Sequence, residues 1–302
     1  MEHNGKLILP ALLSACLLIA GCGKDGGKKV KIAYLPITHA LVLPELAKSK
    51  ALPVELVKYG SWPELLDALN TGRVDAASVL IEPAMKAKER GIGLTALALG
   101  HKDGNVIVVA KSIKNAGDLK GKTIAIPHRA SSHHILVRLL LEKAGISEKE
   151  VTLTELPPPE MPSALASGRI AGYCVAEPFG AIAVHTGCGK VLADSHEVWE
   201  NSICCALVAN DRFLKEYPEL SSVLLSEYYA AGKRLNTKKH LLETAAGFLN
   251  QKEQVLRQSL EWLSFGDLKI TPEDYAKLSD LIRKYGISEH PPKFQDFAGE
   301  QR

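Results

Sequence analysis

The sequence lacks the features that identify several common protein classes. It has no run of about 20 apolar residues, the length that a membrane-spanning helix requires. The longest apolar stretch, Leu7 to Ala20, covers only about 14 residues. The sequence also has no long block of like charge, since 37 basic residues are balanced by 34 acidic ones for a net charge of +3. This balance argues against nucleic acid as a partner.

Catalytic signatures are missing as well. No Gly-x-Ser-x-Gly, His-Glu-x-x-His or Ser-x-x-Lys arrangement occurs in the chain. These patterns carry the common serine nucleophiles and zinc-protease sites, so their absence leaves no motif that suggests a reaction. We therefore predict that the protein is not an enzyme and that it uses no cofactor.

The cysteines show no metal-type Cys-x-x-Cys spacing. Beyond Cys16 they are Cys22, Cys174, Cys188, Cys204 and Cys205. In an exported protein a Cys174–Cys188 disulfide is one option, whereas adjacent cysteines fit a simple disulfide framework poorly. We interpret the last four mainly as small buried residues and predict no metal site. A transition-metal site formed by histidines of the predicted cleft loops is the less favoured alternative, with His39, His101, His128, His133 and His134 as the residues concerned.

The N-terminus reads as an export signal. Lys6 supplies a positive charge, an apolar stretch follows, and Ile19-Ala20-Gly21-Cys22 resembles a bacterial lipobox. We expect a signal peptide at 1–21, a lipid-modified Cys22, and a polar tether at 22–29 that holds the protein outside the cytoplasm at a membrane surface. The alternative is an ordinary cleaved signal with a coincidental cysteine.

One segment of the sequence repeats. Residues 68–83, with Thr71-Gly72-Arg73 and a Glu82-Pro83 pair, return at 164–178 with Ser167-Gly168-Arg169 and Glu177-Pro178. Each copy predicts a helix that ends at a left-handed glycine, a short apolar strand, and a new helix that begins at Glu-Pro. Two copies at this spacing predict two similar α/β units rather than a solenoid. A cleft between two such units is a usual place for a small ligand.

Alternating strands and helices predict mainly parallel, doubly wound sheets. In the first unit the predicted strands are Val30 to Tyr34, Val54 to Tyr59, Val74 to Leu80, Leu94 to Leu99 and Val106 to Ala110. In the second they are Thr123 to Ile126, Val151 to Leu156, Ile170 to Val175 and Val191 to Ala193. A strand at Ile203 to Ala209 and a helical C-terminal segment follow. The simplest topology crosses between lobes near 106–111 and again near 203–209, which gives lobe 1 as 30–110 plus 206–302 and lobe 2 as 111–205.

The mature chain resembles the solute-binding proteins of bacterial ABC importers, in the group that handles nitrate, bicarbonate, taurine, alkanesulfonates and thiamine-precursor pyrimidines. The resemblance depends on five segments: Ile32 to Pro36, Ser61 to Leu69, Gly72 to Ala77, Asp118 to Ala125, and Glu177-Pro178. It implies a two-lobed periplasmic-binding-protein fold with two crossovers, a permease, and an ATPase. No Walker-type phosphate loop occurs here, so the ATPase would be a separate chain. We predict a monomer.

Ligands of open α/β sheets bind outside the carboxyl ends of the strands, and this rule nominates the candidate site. The candidates are Thr38, His39, Ser61, Trp62, Glu82 and His101 in the first lobe, and Ser131, Ser132, His133 and Glu177 in the second. Ser131 and Ser132 lead into an apolar helix whose N-terminus suits a carboxylate, sulfonate, nitrate or bicarbonate. Either serine can equally serve only as a helix cap.

The other candidates leave the ligand class open. Trp62 offers a flat apolar wall or simply packs on its own helix, and the two glutamates favour a ligand with donor groups. Neighbouring His133 and His134 point in different directions on a helix, so they make a poor chelating pair. We expect capture of a small solute, an oxyanion or sulfonate first and a pyrimidine-like heteroaromatic as the alternative. A pyrimidine-synthase-like enzyme and a sensor or adhesin are more remote alternatives.

Overall fold

The computed structural model describes Met1 and residues 27–298. Cys22, the predicted signal peptide after Met1 and most of the predicted tether lie outside these described residues. Within them, no helix is both long and apolar enough to cross a membrane. Lys28, at the end of the predicted tether, already contacts the fold, because its Nζ lies 2.8 Å from Oδ1 of Asp75.

Ten strands of the described residues begin and end close to the predicted positions, and two short ones, Lys102–Asp103 and Leu263–Ser264, were not predicted. In chain order the strands are β1 (Val30–Tyr34), β2 (Val54–Lys58), β3 (Ala76–Leu80), β4 (Leu94–Leu99), β5 (Lys102–Asp103), β6 (Asn105–Val109), β7 (Thr123–Ile126), β8 (Thr152–Glu155), β9 (Gly172–Ala176), β10 (Lys190–Asp194), β11 (Cys205–Asn210) and β12 (Leu263–Ser264).

The helices alternate with these strands and dominate the C-terminal part. They are α1 (Val42–Leu46), α2 (Trp62–Asn70), α3 (Ile81–Glu89), α4 (Ser132–Lys143), α5 (Met161–Ala166), α6 (Phe179–His185), α7 (Ser195–Val198), α8 (Asp211–Glu216), α9 (Pro218–Arg234), α10 (Lys238–Leu249), α11 (Glu253–Ser259), α12 (Pro272–Lys284) and α13 (Phe294–Phe297). Short 3-10 helices occur at Thr38–Ala40, Ala116–Leu119, Glu148–Glu150 and Pro158–Glu160.

Two five-stranded sheets form the cores of two lobes, in the orders β2-β1-β3-β11-β4 and β8-β7-β9-β6-β10. The orders correspond strand for strand. In each sheet four strands run in one direction, and one strand, β11 or β6, runs against its two neighbours. The fold is therefore the predicted two-lobed α/β architecture with mainly parallel sheets.

The reversed strands are the two crossovers between the lobes. Strand β11 returns from the second lobe to the first sheet, close to the predicted position. Strand β6 already pairs with β9 and β10 of the second sheet. The first crossing therefore lies just before Asn105 rather than at 106–111, because an apolar run alone does not show which sheet a strand joins. The lobe limits themselves stay a prediction.

The repeated segment has the predicted local structure in both lobes. Gly72 follows the last turn of α2 with φ +70°, and Gly168 follows α5 with φ +72°. Only glycine adopts this left-handed conformation without steric strain. Each repeat then continues into a fully buried central strand, β3 or β9, and a helix that begins next to the Glu-Pro pair.

A glycine-to-alanine substitution should have opposite effects at two positions. At Gly168 nothing lies within 4 Å of an added Cβ, so the φ of +72° alone makes alanine unfavourable. We expect G168A to lower the free energy of unfolding by about 1 kcal/mol. Gly247, inside α10, also has no atom within 4 Å of an added Cβ and has no positive φ, so G247A should raise stability by about 0.5–1 kcal/mol. Urea denaturation measures both, and equal signs would contradict the assignment of the left-handed cap.

Candidate functional site

The candidate site lies where the carboxyl edge of the first sheet meets the second lobe. His39 follows β1, Glu82 follows β3 and His101 follows β4. Strand β11 runs in the opposite direction, so it begins at this edge with Cys205. Two backbone hydrogen bonds fix the start of β11 between its neighbours. Ile81 N donates to Cys204 O at 2.9 Å, and Gly100 N donates to Cys205 O at 2.8 Å.

Two hydrogen bonds join the lobes next to this edge. The backbone N–H of Thr38, in the first lobe, donates to the carbonyl oxygen of Glu177, in the second, at 2.9 Å. The Thr38 hydroxyl donates to the same oxygen at 3.1 Å. Both residues are fully buried, so water does not compete for these bonds. The geometry therefore holds the lobes closed against each other.

Two imidazoles and two thiols form a compact buried cluster at the seam, which we call the thiol–imidazole cluster. It consists of His39, His101, Cys204 and Cys205, one ligand atom of each lying within 4.8 Å of the others. The two imidazole rings stack with centroids 3.4 Å apart. The two Sγ atoms lie 3.9 Å apart, too far for a disulfide bond, and all four residues are fully buried.

The structure thus adds two residues that sequence analysis did not nominate, Cys204 and Cys205. The strand-end rule covers residues that follow parallel strands, whereas these cysteines precede an antiparallel one. All four cysteines after Cys22 are free thiols, and the optional Cys174–Cys188 bridge is not formed.

One ring of the cluster has a defined hydrogen-bonding pattern. His39 Nε2 lies 3.2 Å from the carbonyl oxygen of Gly104, which can only accept, so Nε2 carries the proton. Nδ1 then presents its lone pair to Sγ of Cys205 at 3.6 Å. Burial, with the neighbouring positive charge that His101 would carry, lowers the pKa of His39 to about 4. His39 is therefore neutral at physiological pH.

The adjacent thiols differ in acidity. Burial opposes ionisation of Cys204, but a hydrogen bond from Cys205 and the nearby His133, His101 and His39 outweigh it and lower the pKa of Cys204 well below its usual value. Burial and the charge on Cys204 raise the pKa of Cys205. One thiolate at Cys204 is thus the favoured ionised form of the pair.

The second lobe presents His133 and Ser132 to this cluster from the first turn of α4. His133 is 1% exposed, and neither of its ring nitrogens has a hydrogen-bond partner among the described residues. Burial lowers the pKa of His133. A negative charge on Cys204 acts against this shift, and a positive charge on His101 adds to it. Ser132 faces the Glu82 carboxyl group without reaching hydrogen-bond geometry. Burial, then the charge on Cys204, raises the pKa of Glu82 well above its usual value.

Ser131 caps its helix, as the simpler interpretation of the sequence had it. Its hydroxyl accepts from His134 N at 3.2 Å and donates to His128 O at 2.5 Å. His134 turns away from the cluster, since its Nδ1 lies 2.7 Å from Arg129 O. The neighbouring histidines therefore point in different directions, as predicted.

The Glu177 carboxyl group is also buried at the seam. Its Oε2 accepts from Ala181 N at 2.9 Å, while Oε1 has no partner among the described residues. Burial raises the pKa of Glu177 to about 7, although hydrogen bonds from backbone N–H groups act against this shift. The carboxyl group thus changes its charge near neutral pH.

Ser61 and Trp62 lie apart from the cluster. They follow β2, which is an edge strand three positions from β11 in the first sheet, roughly 14 Å away at the usual strand spacing. Trp62 is 2% exposed and packs in the core, and its Nε1 has no partner among the described residues.

A separate cavity of about 530 Å³ lies between α3 and the segment that leads into α4. Its lining includes Lys86 of α3 and Arg90 just after that helix, and His128, Arg129 and His134 of the second lobe. Arg129 is partly occupied with the fold, because its Nη2 donates to Leu153 O at 2.9 Å.

Solved structures with similar folds are known. A ligand-binding component of an ABC-type import system from Staphylococcus aureus, solved with zinc bound, matches with a TM-score of 0.86 and 37% identity over 90% of this chain and 96% of that one. The periplasmic nitrate-binding protein of Synechocystis matches with a TM-score of 0.79 and 16% identity over 86% and 82% of the two chains, which shows a shared fold.

Curated relatives and a family model complete the comparison. A putative aliphatic sulfonates-binding protein of Escherichia coli is 28% identical over 210 residues, 66% of this chain and 64% of the relative. A nitrate import ATP-binding protein of Synechocystis is 27% identical over 252 residues, 73% of this chain and 37% of the relative. The chain thus spans less than two thirds of the length of these relatives. The NMT1-like family model matches residues 23–250, so the chain, with its periplasmic-binding-protein fold, belongs to the NMT1-like family.

Proposed function

We propose that the protein is the solute-binding component of an ABC import system and that it holds its ligand at the seam between the lobes. The observation that carries the proposal is a set of buried polar side chains that meet at the seam from both lobes. Glu82 and His101 of the first lobe and Ser132, His133 and Glu177 of the second each have a polar atom without a hydrogen-bond partner among the described residues.

Such groups have a physical reason to be where they are in a binding protein. A buried polar group without a partner lowers the free energy of unfolding by about 1–3 kcal/mol. A protein therefore retains several such groups together only where they serve a function such as ligand binding. A small solute that pairs with groups from both lobes would stabilise the closed form over the open one. That difference in affinity is what drives closure of the lobes.

The comparisons support this proposal. The names of the relatives refer to nitrate, aliphatic sulfonates and taurine. One structural neighbour is a ligand-binding component of an ABC-type import system, and another is a periplasmic nitrate-binding protein. The zinc in the Staphylococcus aureus structure supports including metal ions among the solutes to be tested. Trp62 gives less support to a heteroaromatic ligand, because it is buried in the core after the edge strand β2, away from the thiol–imidazole cluster.

The cellular setting is part of the same proposal. The Ile19-Ala20-Gly21-Cys22 pattern supports export and a lipid anchor at Cys22, which would keep a monomeric binding protein beside its membrane partners. Those partners are a permease and an ATPase on separate chains. The role is binding and delivery rather than catalysis.

Ligand binding should raise the melting temperature and compact the particle. A screen by thermal shift would include nitrate, bicarbonate, taurine, an alkanesulfonate, a pyrimidine and Zn²⁺. At 100 times the dissociation constant a ligand adds about 2.7 kcal/mol of stability, which is roughly 5–10 °C for a chain of this size. Small-angle X-ray scattering should show a smaller radius of gyration with the same compound.

A matched pair of variants tests the location. H133Q removes a buried seam imidazole and should weaken the thermal shift. R257Q changes an exposed arginine that pairs with Glu253 on α11 and should leave the shift unchanged. The proposal fails if no compound compacts the protein, or if both variants respond to the ligand as the wild type does.

A further inference from the structure

Two distances within the thiol–imidazole cluster match those between the ligands of a metal site. In a tetrahedral zinc site two sulfur ligands are about 3.8 Å apart, and a sulfur and an imidazole nitrogen about 3.6 Å. The corresponding distances here are 3.9 Å between Sγ of Cys204 and Sγ of Cys205, and 3.6 Å between Sγ of Cys205 and Nδ1 of His39. The backbone has therefore already placed these three atoms for a shared ion.

The hydrogen bonding of the cluster also prepares it for a metal. The Gly104 carbonyl fixes the proton of His39 on Nε2, 3.2 Å away, and so directs the Nδ1 lone pair towards the sulfur atoms. A hydrogen bond from the second ring nitrogen to a carbonyl is the usual arrangement of a metal-binding histidine. This bond gives His39 the orientation and the tautomer that coordination requires.

His101 gives an independent indication. It is fully buried, and neither ring nitrogen has a hydrogen-bond partner among the described residues. An imidazole carries two groups that need partners, so its burial without any is unfavourable unless another species supplies one. The ring lies beside two thiols and a second imidazole, which together form a donor set that a metal ion completes.

We propose that Cys204, Cys205, His39 and His101 bind one thiophilic d¹⁰ metal ion, with Zn²⁺ and Cu⁺ as its representatives, and that this ion is the solute the protein captures. The proposal deepens the proposed function and rests on it. Two thiols and two imidazoles select such ions, whereas Mg²⁺ and Ca²⁺ need oxygen ligands that the cluster does not offer. On binding, the ion replaces the thiol protons, which pass to solvent.

The position of the cluster favours a transported ion over a structural one. All four ligands lie at one edge of the first sheet, and His133, from the first turn of α4, lies near Cys204 and His101. The ligands are buried, so an ion enters only when the lobes separate. The neutral His133 ring would then face the bound ion when the lobes close.

Metal binding can be measured on the purified wild-type protein under reducing conditions. Competition with a chromophoric chelator should give one Zn²⁺ or Cu⁺ per chain, and Co²⁺ should give a thiolate charge-transfer band. We expect C204S and C205S to weaken binding by about 100-fold or more, since each removes a ligand. C188S is the matched control, because Cys188 lies elsewhere, with its Sγ 3.3 Å from Oγ1 of Thr186. It should bind as tightly as the wild type.

The outcomes separate the two proposals. Stoichiometric binding that the cysteine variants lose and C188S keeps, with compaction on adding Zn²⁺ or Cu⁺, supports the inference. Binding without compaction overturns the role as captured solute. If neither ion binds while an anion from the screen compacts the protein, this inference is wrong and the proposed function stands. If nothing binds, the proposed function fails as well. A thiolate charge-transfer band in the wild-type Co²⁺ spectrum shows cysteine coordination even if a variant does not fold, and its absence overturns the inference.

Discussion

Replacing Glu45 with alanine should lower the free energy of unfolding by about 3 kcal/mol, one of the largest single-residue effects expected in the chain. Glu45 lies on α1, is 1% exposed, and forms an ion pair with Lys48. Its Oε1 accepts from Thr244 at 2.9 Å, and its Oε2 lies 3.0 Å from Nε2 of His240 and 3.5 Å from Nε of Arg234. One carboxylate thus connects α1 to α9 and α10.

The expected effect is large because the partners cannot find replacements. Without the carboxylate, cationic and polar groups of three helices remain together at a half-buried junction, and an alanine leaves a gap there. E253A is a suitable control, since Glu253 is an exposed glutamate on a helix that pairs with Arg257. Such surface pairs contribute at most about 1 kcal/mol. Equal losses in urea denaturation for the two variants would show that Glu45 does not join these helices.

The same residue should contribute to acid sensitivity. Burial alone would raise the pKa of Glu45, but hydrogen bonds from Lys48, His240 and Thr244 outweigh it and hold the pKa at about 2. Because the pKa is lower in the folded state, the contribution of Glu45 is present above the usual glutamate pKa. It is lost as the pH falls from about 4.5 towards 2. The stability difference between wild type and E45A should shrink over that range.

The sequence predicted the fold well because its patterns are local. The left-handed glycines, the Glu-Pro helix starts and the apolar strands each depend on a few neighbouring residues, and the repeat at 68–83 and 164–178 identified two matching lobes. The first crossover was placed a few residues late, since the pairing of β6 with β9 depends on residues more than 60 positions away. No local pattern records such a pairing.

The candidate site was only partly accessible to the same reasoning. His39, Glu82, His101, Ser132, His133 and Glu177 were nominated because they follow strands, and the structure brings them to one seam. Ser61 and Trp62 met the same criterion but follow an edge strand. Cys204 and Cys205 precede a strand that runs in the opposite direction. Only the antiparallel pairing of β11 between β3 and β4 shows that these thiols face His39 and His101.

The pH dependence of stability should reveal Glu177. Its pKa is raised by burial to about 7 in the folded protein, against about 4.5 in the unfolded chain. Below pH 4.5 the carboxyl group is protonated in both states and contributes no difference. Between 4.5 and 7 only the folded state keeps the proton, so stability falls as the pH rises. Above 7 the full loss is present, roughly 3 kcal/mol for a shift of this size.

The variant E177Q isolates this effect. A glutamine side chain still offers an oxygen to Ala181 N but cannot ionise, so E177Q should be more stable than the wild type above pH 7, and the advantage should vanish near pH 4.5. Buried histidines such as His39 also titrate on unfolding, but they do so equally in both proteins and cancel in the difference. The measurement is urea denaturation from pH 4.5 to 8 with a metal chelator present.

E243Q is the matched control for this experiment, because it makes the same chemical change at a glutamate that is 60% exposed on α10. Its stability should follow the wild-type profile at every pH. A pH-independent difference between E177Q and the wild type would mean that the Glu177 carboxyl group keeps one charge state throughout. A difference that grows with pH would instead show that the folded protein keeps the Glu177 carboxyl group protonated up to about pH 7. A ligand that donates a hydrogen bond to the ionised carboxylate should then bind more tightly as the pH rises through 7.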